Sequence, residues 1–166
     1  DKRNRWHELR HSNASTEHAK ENARAHYGLG VEFYRLWLDD PLMMYTCAYW
    51  PEGTTSLEEA QVNKIEYVCR KLRLHAGESV IDIGCGFGGF MFHAAQRYDV
   101  DITGINTTTE QVVTVRSEIG RLGVEDRVHV VEADFREKQG TGDKVVSIGV
   151  LEHAGLNQLD EVVKAH

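Results

Sequence analysis

The run Asp82-Ile83-Gly84-Cys85-Gly86-Phe87-Gly88-Gly89 closes an apolar stretch, and its residue types say most about chemistry. Glycines at 84, 86 and 89 let backbone approach a ligand at a helix N-terminus without side-chain clash. The same spacing also describes a tight strand-to-helix turn with no ligand. A second group follows, Gly104-Ile105-Asn106-Thr107-Thr108-Thr109-Glu110-Gln111, at a strand end where the ribose of a bound nucleotide usually meets an acid. No acid stands at that tip. Asn106, Thr107 and Gln111 could supply neutral hydrogen bonds instead, or Thr108 could cap the next helix with Gln111 as its capping-box partner. Asp134 reads either as a ligand or as a solvated turn residue. Cys47, in Tyr45-Thr46-Cys47-Ala48-Tyr49-Trp50, reads as a small buried hydrophobe or as a working thiol. Glu152 follows an apolar strand, whose C-terminal edge faces the crevice of an open sheet. Its neighbour His153 suits a base or a structural hydrogen bond.

One further motif is set aside. His7-Glu8-Leu9-Arg10-His11 matches H-E-x-x-H, two histidines one helical turn apart around a glutamate base. A zinc peptidase needs a third ligand. The longer metzincin pattern asks for glycine and histidine at positions 14 and 17, where the chain has Ala14 and Glu17. No metal site is expected.

Composition narrows the classes. The chain has 166 residues, 41% hydrophobic and 27% charged, enough for one buried core. Nineteen Lys and Arg against 26 Asp and Glu give a net charge of −7, which speaks against nucleic acid as the main partner. No apolar run is long enough to span a bilayer. The opening Asp1-Lys2-Arg3-Asn4-Arg5 is not a signal peptide. Three cysteines at unrelated spacings fit a reducing, cytoplasmic setting without a disulfide framework.

These residues must be positioned by two kinds of element. Residues 1–75 read as a helical segment: a polar helix from Trp6 to His26, an amphipathic one from Val31 to Leu38, and a third capped by Ser56 with Glu59 as capping-box partner. Asp39-Asp40-Pro41 stops the second helix, because the residue before proline disfavours the α region. The third carries Ala60, Ile65, Val68 and Leu72 on one face. From 76 to 166 strands alternate with helices: strand 80–84, helix 90–97, strand 100–105, helix 108–122, strands 128–131 and 144–150, then a helix from about Asn157. Such alternation implies an α/β fold, a parallel sheet with helices on both faces. Four strands are fewer than a doubly wound sheet usually has, so the expectation is a sheet truncated after its fourth strand. Gly88-Gly89-Phe90 reads as helix packing rather than ligand contact.

Asp82 at the junction, with cysteine between the first two glycines, resembles motif I of S-adenosylmethionine-dependent methyltransferases. More specifically, several blocks in order resemble cyclopropane fatty acid synthases and mycolic acid cyclopropane synthases, with their methyl-branching relatives. They are Ala25-His26-Tyr27-Gly28-Leu29-Gly30 with Phe33 to Leu38, Tyr45 to Trp50, Leu57-Glu58-Glu59-Ala60-Gln61, Asp82 to Gly89, the stretch from Gly104, and Ser147 to Gly155. Together they cover roughly residues 24 to 160.

The resemblance implies a Rossmann-like class I methyltransferase sheet with an N-terminal helical lid. It implies methyl transfer from S-adenosylmethionine to the double bond of an unsaturated acyl chain, through a carbocation kept from water, ending in a cyclopropane or a methyl branch. Cofactor contacts would fall on Tyr45, Thr46, Asp82, Gly84, Gly86, Asn106, Thr107, Gln111 and Asp134, with Asp134 near the adenine amino group. A bound bicarbonate, the proton acceptor of the family, would be held by Cys47, the Ile148 backbone and Glu152. A further histidine and tyrosine of the family's site would lie beyond His166. The substrate would be an acyl lipid or carrier, and Trp6, Tyr34, Trp37, Arg3, Arg5 and Arg35 could dock the protein on the inner membrane face. Two other readings stay open: N-methylation of a small amine, and a cofactor-binding fragment without chemistry.

Overall fold

The computed structural model describes residues 29–137, 140–153 and 159–165, with positions 15, 17, 18, 21 and 22. The expected helix from Trp6 to His26 and the His7 to His11 motif lie almost wholly outside the described residues.

Helix α1 spans Val31–Arg35 and ends earlier than its apolar pattern suggests, with Leu36 in the capping position and Asp39 beyond it. Helix α2, Leu57–Leu72, starts where Ser56 Oγ accepts the Glu59 N–H at 3.2 Å. The reciprocal half of the capping box is displaced by one residue: the Glu59 carboxylate accepts from the N–H and hydroxyl of Thr55 rather than from Ser56. Then follow β1 (Ser79–Ile83), α3 (Gly89–Tyr98), β2 (Asp101–Asn106), α4 (Thr109–Leu122), β3 (Val128–Glu132), β4 (Lys144–Ser147), a 3₁₀ turn at Leu151–His153, and α5 (Leu159–Ala165).

The four strands are parallel, in the order β3-β2-β1-β4. Chain order runs outward from β1 to β3 on one side, and β4 joins on the other. The reversal between β1 and β4 is where open parallel sheets leave a crevice for ligands beyond their C-terminal ends. Register sets Asp82 between Gly104 and Val146, on the same face as Val80, Ile102 and Val128.

That face carries the main core. Val80, Ile102, Val128 and Val146 pack with Ile65 and Cys69 of α2, Phe90, Met91 and Ala94 of α3, and Val115 and Ile119 of α4. So α2, α3 and α4 share one face, whereas the alternation pattern suggests helices on both. The reason is handedness: right-handed crossovers stepping twice in the same direction put both connecting helices on one side. The other face holds a smaller cluster of Ile83, Ile105 and Ala133, with Ile81, Val131 and Val145 half-buried.

Two glycines are fixed by close approach. A Cβ on Gly104 would lie 2.5 Å from Met91 Sδ and 2.7 Å from Cys85 Sγ, so the sheet's neighbour to Asp82 must be glycine for α3 to sit down. A Cβ on Gly89 would overlap the Leu42 carbonyl oxygen and lie 2.7 Å from Met44 Sδ. Gly89 therefore seats the loop before α2 on the start of α3, as expected for a packing glycine. Gly89→Ala should cost about 2–3 kcal/mol as an overpacking change, read as a lower urea midpoint at unchanged slope. An unchanged midpoint would mean that the 42–44 loop is free to move aside.

Candidate functional site

The glycine loop turns tightly at the end of β1. The N–H groups of Gly84 and Cys85 both donate to the Ile105 carbonyl, at 2.8 and 3.3 Å, and Gly88 N–H donates to the Cys85 carbonyl at 2.9 Å. Gly84, Gly86 and Gly88 all have positive φ. Their free sides differ. A Cβ on Gly84 would run into Val150 and one on Gly88 into Phe92, but the space beside Gly86 is open for 4 Å. Gly86 is thus where a ligand can reach the backbone, while Gly84 keeps β1 against the segment after β4.

Asn106 locks this loop to the start of α4. Its amide donates to the Gly86 carbonyl at 3.1 Å and to Gln111 Oε1 at 3.0 Å, and its Oδ1 accepts the Thr108 N–H at 3.0 Å. Thr108 makes no side-chain cap, so the capping box with Gln111 does not form; Asn106 takes the Thr108 N–H and Gln111 pairs with Asn106. Asn106 and Gln111 are both buried. The Asn106 side chain is spent on internal bonds, and the Gln111 amide nitrogen has no hydrogen-bond partner among the described residues. Thr107 lies half-buried in the bend between them.

Asp82 is 3% exposed and has no hydrogen-bond partner among the described residues. Burial raises its pKa from the ordinary carboxylate range to about 7. A buried carboxylate in this state favours a cationic partner, because desolvation penalises its charge until one is supplied.

Asp134 is buried, which excludes the solvated reading. Arg136 grips it: Nε donates to Oδ1 and Nη2 to Oδ2, both at 2.7 Å, and the Arg136 backbone N–H adds a bond at 3.0 Å. The guanidinium also stands over the Phe135 ring, 5.6 Å from its centre.

A third wall comes from the segment before α2. The strap Met43–Cys47 is held from below by three buried polar side chains that sequence reasoning did not single out. Asp39 Oδ1 accepts the Met44 N–H at 2.8 Å. The Gln61 amide donates to the carbonyls of Met44 and Thr46, at 3.2 and 3.0 Å. Lys64 Nζ donates to Thr46 Oγ1 at 2.6 Å. The available signal was the pattern of α2, where Gln61 and Lys64 interrupt the inward stripe formed by Ala60 and Ile65. From above, Tyr34 of α1 fills the angle between strap and glycine loop, with ring centres 5.5 Å from Tyr45 and 5.4 Å from Phe87. Tyr34 is 1% exposed, so it belongs to the core and cannot be a membrane-docking residue. Trp37 is partly exposed against Tyr45, Arg35 pairs with Glu32, and Trp6, Arg3 and Arg5 fall outside the described residues.

The strap meets the end of β4. This strand stops at Ser147 rather than continuing to Val150, and Ile148 and Gly149 form a bend before the 3₁₀ turn. Glu152 therefore sits on that turn, exposed, not on a strand end. A Cβ on Gly149 would lie 2.5 Å from Thr46 Cγ2 and 3.5 Å from Glu152 Oε1. Gly149 brings the strap and the Glu152 carboxylate to one spot. Cys47, next along the strap, is exposed, which removes the buried-hydrophobe reading; Cys69 and Cys85 are the buried thiols. The His153 side chain lies outside the described set.

The crevice at the sheet's switch point gathers an open glycine backbone with a buried carboxylate and an amide nitrogen that have no hydrogen-bond partner among the described residues. At its rim stand a thiol and a carboxylate. Such a set suits a ligand with a cationic amino-acid end and hydrogen-bonding acceptors.

The profile of a family described as mycolic acid cyclopropane synthetase matches residues 14–166. A probable fatty acid methyltransferase from Pseudomonas putida is 42% identical over 132 residues, 78% of this chain and 33% of that protein. The cyclopropane-fatty-acyl-phospholipid synthase of Escherichia coli K12 is 36% identical over 137 residues, 82% of this chain and 34% of that one. Among solved structures, mycolic acid cyclopropane synthase CmaA1 complexed with SAH and CTAB superposes with a TM-score of 0.83 at 34% identity, covering 88% of this chain and 51% of that chain. The chain spans a third to a half of the length of these relatives.

Proposed function

The chain belongs to the mycolic acid cyclopropane synthetase family, and from that premise we propose that it serves S-adenosylmethionine-dependent methyl transfer to the double bond of an unsaturated acyl chain. The observation that carries the reading is Asp82, a buried carboxylate without a hydrogen-bond partner among the described residues, at the head of the loop in which Gly86 faces open space. It fits the ammonium of a methionine-like ligand, as the Gln111 amide nitrogen fits a ribose hydroxyl. Gly84, Asn106 and Thr107 shape the same wall, Asp134 with Arg136 closes the adenine end, and Tyr45 and Thr46 cover the top. Bound there, S-adenosylmethionine supplies an electrophilic methyl group on sulfur.

The protein's task is then to guard a cation. An alkene carbon gains the methyl, the sulfur–methyl bond breaks, and positive charge is left on the neighbouring carbon, which water would quench. Loss of a proton from the added methyl lets its C–H pair close the ring; a hydride shift followed by loss of a methyl proton leads instead to a methylene branch, which a separate reductase can saturate to a methyl branch. Bicarbonate, when bound, supplies the base for that proton. Cys47, the Ile148 backbone and Glu152 are the groups proposed to hold it, and the meeting of Thr46, Gly149 and Glu152 supports that placement. Leu29, Phe33, Leu36 and Trp37 leave apolar surface beside Tyr45, which suits access from a lipid surface. Among the described residues, no helix is long and apolar enough to cross a membrane.

The test is lipid mass spectrometry on cells expressing the protein and fed methyl-deuterated methionine. Acyl chains gaining one carbon with two deuteriums indicate methyl transfer followed by loss of one methyl hydrogen to the base. A cyclopropane then survives ozonolysis, a methylene branch is cleaved by it, and a saturated methyl branch is two hydrogens heavier. Label found on a small amine and on no acyl chain would overturn the reading.

A further inference from the structure

Lysine is rarely buried without a partner that accounts for it. Lys64 is 8% exposed on the inner face of α2, and its ammonium reaches across to the Thr46 hydroxyl at 2.6 Å. One helical turn away, Gln61 is 2% exposed and binds the carbonyls on either side of Tyr45. Asp39, 1% exposed, takes the Met44 N–H. Three separate side chains therefore converge on two strap residues, Met44 and Thr46, on either side of Tyr45. A loop needing only to be covered would not require buried polar anchors. A loop whose side chains must hold one place against another segment does.

We propose that Lys64 is a positioning residue: through the Thr46 hydroxyl it fixes the strap so that Thr46 and Cys47 keep their register against Gly149 and Glu152. The chain of contact is continuous, from Lys64 Nζ to Thr46 Oγ1, and from the Thr46 methyl to Gly149 beside the Glu152 carboxylate. Lys64 touches neither cofactor nor acyl chain in this account. It acts by limiting how far the thiol and the carboxylate can drift apart, and displacement of about an ångström at a reacting centre costs about a hundredfold in rate. Burial lowers the pKa of Lys64 to about 8, opposed by the charges of Asp39 and Cys47, so at neutral pH it remains a charged donor.

The activity arm of the test rests on the methyl-transfer reading; the structural arm does not. Lys64→Met, Thr46→Val and the double variant are compared with the parent for acyl methylation rate per SAH site counted by titration calorimetry. Amide exchange of the strap is measured alongside. Each single change should lower kcat per site about tenfold or more, with KM for the acyl lipid within about threefold. The double variant should be no more than about twofold worse than the weaker single, because both remove the same bond. Exchange at the Met44 amide should speed up about fivefold or more while β1 and β2 stay protected. Thr46→Val tests the bond from the other side should Lys64→Met not fold. Parent-like kcat and Met44 exchange in Lys64→Met, or losses that multiply in the double variant, would overturn the proposal. A parent protein that methylates no acyl chain would refute the reaction instead, leaving Met44 exchange to decide the role of Lys64.

Discussion

Asp82→Asn is expected to weaken S-adenosylhomocysteine binding at pH 8 by about a hundredfold, the size of effect seen when one partner of a buried charge pair is removed. The carboxylate is buried with no hydrogen-bond partner among the described residues, and burial raises its pKa to about 7. In the free protein near neutrality it is therefore part protonated, whereas a bound ammonium requires it ionised. Binding must release a proton below pH 7, so affinity should fall by up to about tenfold per pH unit as the solution is acidified from 7 to 5. Asparagine abolishes that dependence.

Stability should move the other way. A carboxyl with a raised folded-state pKa binds more protons folded than unfolded between about pH 4 and 7, so its contribution is present at low pH and lost as pH rises through that window. The free protein should thus melt at a lower temperature at pH 8 than at pH 5 through this group, and Asp82→Asn should be the more stable form at pH 8. Calorimetry in two buffers of different ionisation enthalpy, with melting curves at both pH values, checks both halves. A wild-type affinity flat from pH 5 to 8 would show that Asp82 does not meet the cofactor's ammonium.

The second large effect is expected at Glu152. Glu152→Gln keeps the size of the side chain but turns one carboxylate oxygen into an amide donor and removes the charge, so the group that would accept the bicarbonate O–H and orient it against the added methyl is lost. Proton transfer by a positioned group typically contributes about a hundredfold to ten-thousandfold, so turnover should fall by about a hundredfold or more. Affinity for S-adenosylhomocysteine should stay within about threefold, because Glu152 sits on the turn after β4, across the switch point from Asp82 and Gly86. Rapid-quench turnover alongside calorimetry separates the two quantities. Parent-like turnover would remove Glu152 from the chemistry. An equal loss of affinity would move it to the cofactor.

Much of this architecture was legible before any coordinates. The strand starts and helix lengths from β1 to β3 follow from short apolar runs, capping residues and glycine stops, which are signals within a few residues of one another. Outside that span the margins shifted. Helix α1 ends at Arg35, well before the proline that was expected to stop it, and β4 ends at Ser147 because Gly149 turns the chain toward the strap. The Thr108 cap failed for the same kind of reason. Asn106, buried behind the glycine loop, accepts the Thr108 N–H and donates to Gln111 Oε1, the acceptor that a capping box would have used.

The sequence by itself determined the parallel α/β class, the glycine loop with Asp82 at its head, and the ordered blocks of the family. Each of these is written in local spacing, where backbone geometry and burial period leave few alternatives. Only the tertiary structure decided which polar groups are partnered. It spends Asn106 on the loop and Asp134 on Arg136, leaves Asp82 without a hydrogen-bond partner among the described residues, draws Tyr34 into the core, and buries Lys64 beneath Thr46. Those outcomes depend on contacts between segments far apart in the chain, where each polar atom takes the best acceptor or donor the packing brings within reach.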